Sequence, residues 1–74
     1  MSLDIKLSPR EIQVLQGIVN GITYEQIAGE LGISVRTVKN YVGAIRRKCG
    51  RQTVAASVAL AVALDMVEVL YDGN

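Results

Sequence analysis

Apolar residues recur at steps of three and four along most of the chain, which is the spacing of a helix with one buried face. Four segments carry this pattern, and short polar or glycine-containing stretches separate them. The pattern predicts an all-α fold of four helices, spanning about residues 8–20, 24–31, 35–49 and 54–67. We expect one domain over residues 1–74, with residues 1–6 and 72–74 loose.

Capping residues mark the predicted helix ends. A hydroxyl side chain precedes each helix, and in two cases a Glu or Gln three residues later completes a capping box. These start signals are Ser8 with Glu11, Thr23 with Gln26, Ser34, and Thr53. Gly21, Gly32 and Gly50 follow the first three helices, where glycine readily adopts the left-handed conformation that ends a helix.

The stretch from residue 21 to residue 50 predicts a short helix, a turn containing Gly32, and a longer helix. This is the helix-turn-helix arrangement. The longer helix divides by face, and we expect one face to be buried: Val38, Tyr41, Val42, Ile45 and Cys49. The opposite face carries cations and one carboxamide, which suit DNA bases and phosphates: Arg36, Lys39, Asn40, Gly43 and Arg47.

The net charge of +1 hides a strongly polarised chain. Residues 34–51 contain six of the eight basic residues and none of the seven acidic ones. A basic patch concentrated on one element is typical of a nucleic-acid binder. Glu25 and Glu30 would repel DNA, so we expect the second helix to approach it only near its N-terminus.

Composition argues against an enzyme. The chain contains no histidine and a single cysteine, Cys49. It therefore cannot form an internal disulfide, a Cys/His zinc site, or a nucleophile activated by histidine. We expect no cofactor and no metal, and we interpret Cys49 as a small core side chain. The lone cysteine and the absence of a signal peptide or long apolar run favour a cytoplasmic protein without a membrane segment.

The last predicted helix is apolar on nearly every side, since Ser57 alone interrupts the run from Val54 to Leu64. A surface helix needs only one apolar stripe, so a second face must be covered. We predict a homodimer through a ridge of small residues and its neighbours: Ala55, Ala59, Val62, Ala63 and Met66. The alternative is that this helix docks on another protein, such as RNA polymerase.

The chain resembles the LuxR/GerE-type helix-turn-helix domain of bacterial transcription regulators over about residues 7–67. The residues that carry the resemblance are Leu7-Ser8-Pro9-Arg10-Glu11, Val14-Leu15, Gly21, Thr23, Gln26-Ile27-Ala28, Leu31, Ile33-Ser34, Thr37-Val38-Lys39, Ile45, Lys48 and Gly50. They match in register and without a gap. The resemblance implies a third helix that enters the major groove and a fourth helix that forms a dimer interface.

By position, the resemblance implies base contacts at Lys39, Asn40 and Gly43, to which the face analysis adds Arg36 and Arg47. It also implies that Ser34, Thr37 and Lys48 touch phosphates or brace the recognition helix. The full set of expected phosphate contacts is Thr23, Ser34, Thr37, Tyr41, Arg46, Lys48 and Arg51.

The chain departs from the family pattern at several of these positions. Tyr41 stands where histidine is common, Glu25 stands where lysine is common, and Gly43 offers no side chain to a base. After Gly50, the family's usual Val and the Arg three residues later are replaced by Arg51 and Val54.

Together these features predict a sequence-specific double-stranded DNA-binding transcription regulator that acts as a dimer. A helical protein-interaction module of the sigma-factor kind is the second interpretation. The chain is either a free-standing regulator or the effector domain of a longer one.

Overall fold

A computed structural model describes residues 5–50 and 53–67. It contains four helices, α1 (Pro9–Val19), α2 (Tyr24–Leu31), α3 (Val35–Cys49) and α4 (Val54–Ala63). The first three follow the predicted bounds within one residue. The all-α, four-helix architecture predicted from the sequence is confirmed.

Each predicted N-cap forms its hydrogen bond. Ser8 and Thr23 each complete a capping box, in which the third helical residue, Glu11 or Gln26, bonds back to the cap. Ser34 Oγ accepts the Thr37 N–H at 3.0 Å. Thr53 Oγ1 accepts the Ala56 N–H at 3.1 Å. These bonds satisfy N–H groups that would otherwise lack a partner, so the local sequence determines where each helix begins.

The core forms around α3, which packs against each of the other three helices. The buried apolar side chains come from all four helices and the turn after α4: Val14, Leu15, Ile27, Ala28, Val38, Val42, Ile45, Cys49, Ala61 and Val67. On α1, Val14 and Leu15 are fully buried, whereas Ile12, Ile18 and Val19 are only partly buried. Val14 and Leu15 are therefore the α1 side chains at the centre of the core.

Helices α1 and α2 approach closely at Gly17. A Cβ atom at this position would lie 2.8 Å from Cγ1 and 2.9 Å from Cδ1 of Ile27, closer than side chains tolerate. Ile27 is itself buried, so it has little room to move. Gly17 thus fixes the distance between the first helix and the helix-turn-helix unit.

Helix α4 ends at Ala63, four residues before the end that the sequence predicted, so that boundary was wrong. Asp65 adopts a left-handed backbone with a φ of 63°. The Asp65 N–H then bonds to Val62 O, and the Met66 N–H bonds to Ala61 O at 2.9 Å. This pair of bonds satisfies the last carbonyl groups and closes the helix. Aspartate is one of the few residues that tolerates this conformation.

The segment before α1 contacts the core. Residues 1–6 were expected to be loose; of the described residues before α1, Ile5 and Leu7 pack against the core. Both side chains are partly buried. Their burial is favourable because it removes apolar surface from water. Residues 1–4 and 72–74 lie outside the described part of the chain.

Candidate nucleic-acid interface

The face of α3 opposite the core is open to solvent. Val38, Val42, Ile45 and Cys49 are buried, as the sequence predicted, and Tyr41 is partly buried. Four of the expected base-contacting side chains are exposed on the other side: Arg36, Lys39, Asn40 and Arg47. The buried stripe fixes the rotation of α3 about its axis, so this set stays exposed as a group.

Gly43 lies in the middle of the open face and is partly buried. The nearest side-chain atom to a Cβ at this position would be Nη1 of Arg47, at 3.4 Å. Arg47, one helical turn later, therefore extends its guanidinium group back over the glycine. The surface there consists of backbone and one flexible cation, which allows another molecule to approach α3 closely.

The beginnings of α2 and α3 present the expected phosphate-contacting hydroxyls. Thr23 is exposed, and its Oγ1 accepts the Gln26 N–H at 3.1 Å. Ser34 is exposed, and its Oγ lies 2.9 Å from Oγ1 of Thr37. These hydroxyls are held in place by the same bonds that cap the helices.

Lys48 lies on one edge of α3 and makes an ion pair with α1. Its Nζ donates to Glu11 Oε1 at 2.8 Å. The same oxygen accepts the Ser8 N–H at 2.7 Å. The Glu11 side chain is only 6% exposed, whereas that of Lys48 is 44% exposed. Of the two roles expected for Lys48, this contact favours bracing of the recognition helix.

The environment of Glu11 keeps its carboxylate ionised. Burial by itself raises the pKa of Glu11. The hydrogen bonds from Lys48 and Ser8 and the positive charge of Lys48 lower it, and together they outweigh burial. The pKa of Glu11 therefore lies below its ordinary value of 4.5. The sequence indicated the capping role of Glu11 but gave no sign of this pairing, which joins residues 37 positions apart.

Lys39 and Arg46 lie two turns apart on the other edge of α3, beside an open cleft. The remaining lining residues are Tyr24, Val42 and Val54, which belong to α2, α3 and α4. The structure thus places Lys39 and Arg46 along the same cleft and adds Tyr24, which the sequence prediction omitted. The sequence signal that could have identified Tyr24 is its position directly after the N-cap residue Thr23. Arg51 lies outside the described residues.

The expected interface on α4 falls into two groups. Ala55, Ala59 and Ala63 are exposed and form a continuous small-residue ridge at four-residue steps. Val62 and Met66 are partly buried and pack against the core. Ser57 is fully buried, and its Oγ donates to Thr53 O at 3.1 Å, so the one polar residue within the apolar run faces inward.

These features define a class of protein, the helix-turn-helix proteins with a basic recognition helix and a fourth supporting helix. The family model for bacterial regulatory proteins of the luxR family, GerE, matches residues 6–61. The chain belongs to this family. It is a family of DNA-binding transcription regulators and not of enzymes, as the sequence predicted.

Two curated relatives illustrate the similarity. The transcriptional activator protein YukR of Yersinia ruckeri is 39% identical over 62 residues, which cover 84% of this chain and 27% of YukR. The transcriptional regulatory protein FixJ of Bradyrhizobium diazoefficiens is 36% identical over 61 residues, which cover 82% of this chain and 30% of FixJ. The chain therefore spans less than a third of the length of these relatives.

Solved structures show the same fold. The transcription factor GerE superposes with a TM-score of 0.82 at 25% identity, covering 92% of this chain and 97% of GerE. The Vibrio cholera VqmA–ligand–DNA complex superposes with a TM-score of 0.80 at 30% identity, covering 95% of this chain and 31% of VqmA. None of the helices in the described residues has the length and hydropathy needed to cross a bilayer.

Proposed function

We propose that this chain binds specific sequences in double-stranded DNA and thereby regulates transcription in the bacterial cytoplasm, with α3 in the major groove. The observation that carries the proposal is the open basic face of α3, whose opposite face is locked into the core. A helix fits the major groove, where each base pair presents a distinct pattern of donors and acceptors.

The side chains on this face suit different parts of the DNA. Asn40 can pair with adenine through its carboxamide, and Arg36, Lys39 and Arg47 can donate to guanine. Gly43 has no side chain, so the DNA can approach the backbone of α3 closely between these residues. Thr23, Ser34, Thr37, Tyr41 and the cations Arg46 and Arg51 suit the phosphates on either side. We assign Lys48 mainly to bracing, because it is paired with Glu11. The solved complex of VqmA with its ligand and DNA supports this use of the fold.

The test begins with selection of a binding site from a random duplex pool by the parent protein. Anisotropy of the labelled site and of an unrelated duplex then compares the parent with Asn40→Ala. We expect affinity for the selected site to fall roughly tenfold, about 1.4 kcal/mol, because one base contact is lost. Affinity for the unrelated duplex should change little.

Gln13→Ala is the matched control, since it removes an exposed carboxamide from α1 instead of α3. It should bind both duplexes as the parent does. Equal losses on both duplexes for Asn40→Ala would mean that Asn40 does not read a base. A parent that binds no duplex at low salt would overturn the proposed function and favour the protein-interaction module.

We also propose that two copies associate through α4, which would place two recognition helices on one DNA site. The exposed ridge of Ala55, Ala59 and Ala63 supports this, because small residues allow two helices to approach closely. The solved VqmA is described as a dimer in the absence of target DNA.

Ala59→Glu should convert a dimer into a monomer without unfolding it, because Ala59 is exposed in the single chain and a carboxylate would have to be buried in the interface. Sedimentation velocity at micromolar concentration measures the change, with circular dichroism to check the fold. Gln13→Glu adds the same charge on α1 and should stay dimeric. A monomeric parent would contradict the proposal and favour a different partner for α4, such as RNA polymerase.

A further inference from the structure

The C-terminal ends of α1 and α2 lie beside an open cleft of about 360 Å³. Helix α1 contributes Gln16 from its last turn and Asn20 at its C-cap, and α2 contributes Glu30 from its last turn. Of the described residues, none from α3 or α4 lines this cleft, and none of those assigned above to DNA or to association through α4 does so. The cleft is therefore separate from both proposed interfaces.

Three sources of negative charge meet in this cleft. The last carbonyl groups of each helix carry the negative end of the helix dipole. Neither α1 nor α2 has a basic residue in its last turn to offset that charge. Glu30 adds an exposed carboxylate, and within residues 5–50 and 53–67 no lysine or arginine side chain lies within ion-pair distance of it. The cleft therefore favours a cation.

The position of Glu30 opposes the stability of its own helix. A carboxylate in the last turn interacts unfavourably with the helix dipole, whereas a lysine or arginine there would be stabilising. A residue that disfavours the local structure without a compensating contact is typical of a functional site. A cation bound in the cleft would supply that compensation.

The lining suits an organic cation better than a metal ion. Glu30 is the only carboxylate among the described lining residues, and Ca²⁺ and Mg²⁺ need several oxygen ligands at short range. The described part of the chain also has no cluster of three or more His, Cys, Asp or Glu side chains. Gln13, Gln16 and Asn20 instead line the cleft with carboxamides, whose oxygens accept hydrogen bonds from N–H donors. Gln16 Nε2 donates to Asn20 Oδ1 at 2.9 Å, so these two side chains hold each other in place.

The apolar part of the lining favours arginine over lysine. It comes from three partly buried side chains, Ile12, Ile22 and Leu31. The stem of an arginine can pack on such a surface while its charged end reaches a polar partner. The guanidinium group is planar, is more weakly hydrated than an ammonium group, and can donate two parallel hydrogen bonds to one carboxylate. These properties match a cleft with one carboxylate, several carboxamides and apolar surface.

We propose that this cleft binds an arginine side chain presented by a partner protein. Pockets for free small molecules usually bury most of the ligand surface, and an open cleft cannot do so. An arginine on the surface of a larger partner gains further affinity from contacts around the cleft. The open face of α3 lies elsewhere, so such a partner leaves that face accessible. The inference does not depend on the proposed DNA-binding function.

The first test titrates the whole chain with the capped tripeptide acetyl-Ala-Arg-Ala-amide and follows binding by NMR. The side-chain NH₂ signals of Gln13, Gln16 and Asn20 report directly on the cleft and should shift until they saturate, whereas that of Asn40 on α3 should not move. The same tripeptide with citrulline, which has the shape of arginine without its charge, should bind roughly tenfold more weakly. Equal binding of both tripeptides, or shifts centred on α3, would overturn the inference.

Glu30→Gln should weaken binding of the arginine tripeptide roughly tenfold, because a neutral group replaces the charged partner of the guanidinium. Glu25→Gln is the matched control, since it removes an exposed carboxylate from α2 outside the cleft, and it should bind as the parent does. Equal losses in the two variants would overturn the inference, because they would reflect net charge alone. Glu30→Gln should also melt at or above the temperature of the parent. A lower melting temperature would count against the inference, because the fold itself would then explain Glu30.

The second test establishes whether the occupant is a protein segment. Random peptides displayed on phage are selected on the immobilised parent by elution with the arginine tripeptide. The selected peptides should contain arginine, bind more tightly than acetylarginine amide, and lose affinity on Glu30→Gln but not on Glu25→Gln. Equal affinity of acetylarginine amide and the selected peptides would indicate a site for a free cation and would overturn the assignment to a partner protein. Selected peptides without arginine would overturn it as well. Neither test contains DNA, so its failure is distinct from failure of the proposed function.

Discussion

Gly17→Val should destabilise the domain by about 3 kcal/mol, because overpacking of this size typically costs 1–3 kcal/mol or somewhat more. The first added carbon would already lie 2.8 Å from Ile27 Cγ1, and valine adds two methyl groups beyond it. Either Ile27 leaves its buried position or α1 moves away from α2. Domains of 60–100 residues lose about 4–8 °C in melting temperature per kcal/mol, so the melting temperature should fall by about 12–24 °C.

Gly29→Ala is the matched control for this prediction. Gly29 is also a helical glycine, but a Cβ there would meet nothing within 4 Å. Alanine should therefore stabilise α2 by about 0.5–1 kcal/mol through helix propensity. Calorimetry of both variants separates the steric effect from propensity. A Gly17→Val protein that melts with the parent would show that α1 and α2 do not pack as closely as described.

Glu11→Gln should lower the free energy of unfolding by about 2 kcal/mol at neutral pH. Hydrogen bonds to charged groups contribute about 1.5–3 kcal/mol. Lys48 is partly exposed, so solvent screening keeps the contribution below the upper value. Glutamine keeps the shape of the side chain and can still accept from Ser8. The substitution removes the charge that Lys48 contacts at 2.8 Å.

The free energy of unfolding of the same variant should change less at acid pH than that of the parent. The pKa of Glu11 is lower in the folded protein than its ordinary value of 4.5, so the unfolded chain binds the proton more tightly. The contribution of this carboxylate is therefore fully present above that value and disappears as the pH falls through the folded pKa. Chemical unfolding of parent and variant between pH 7 and pH 3 measures the difference.

Lys48→Met provides the control, because it removes the amine and leaves the carboxylate buried. It should destabilise at neutral pH and raise the pKa of Glu11 in the folded protein, so that less stability is lost as the pH falls than in the parent. If Glu11→Gln and the parent lose stability in parallel as the pH falls, the ion pair contributes no acid dependence.

Local signals predicted most of the fold. The hydroxyl of each N-cap residue, Ser8, Thr23, Ser34 or Thr53, accepts the backbone N–H three residues later. The sequence within one helical turn is therefore sufficient to predict where each helix begins. The buried stripe on α3 follows from helical spacing alone. The open face follows from the same spacing, which is why four of the five residues expected to contact bases were found exposed.

The features that sequence analysis missed depend on contacts between distant segments. Gly17 looked like an ordinary helical residue until Ile27 was packed against it. Glu11 completed a capping box, which was sufficient local reason for its presence and concealed its pairing with Lys48. Beyond Ala63, Met66 and Val67 continued the apolar pattern, but the left-handed turn at Asp65 buries Val67 without extending the helix.

The open backbone at Gly43 has a consequence for how such a domain acquires new operators. Arg47 covers this position only with the end of a flexible side chain, so a small residue at position 43 can be added without disturbing the core. Alanine or serine there would be tolerated by the fold and, in the proposed mode of DNA binding, would project a new group toward the bases. Binding preference and folding stability can therefore change independently at this position. It is a natural starting point for divergence between related regulators and for laboratory redesign of the recognised sequence.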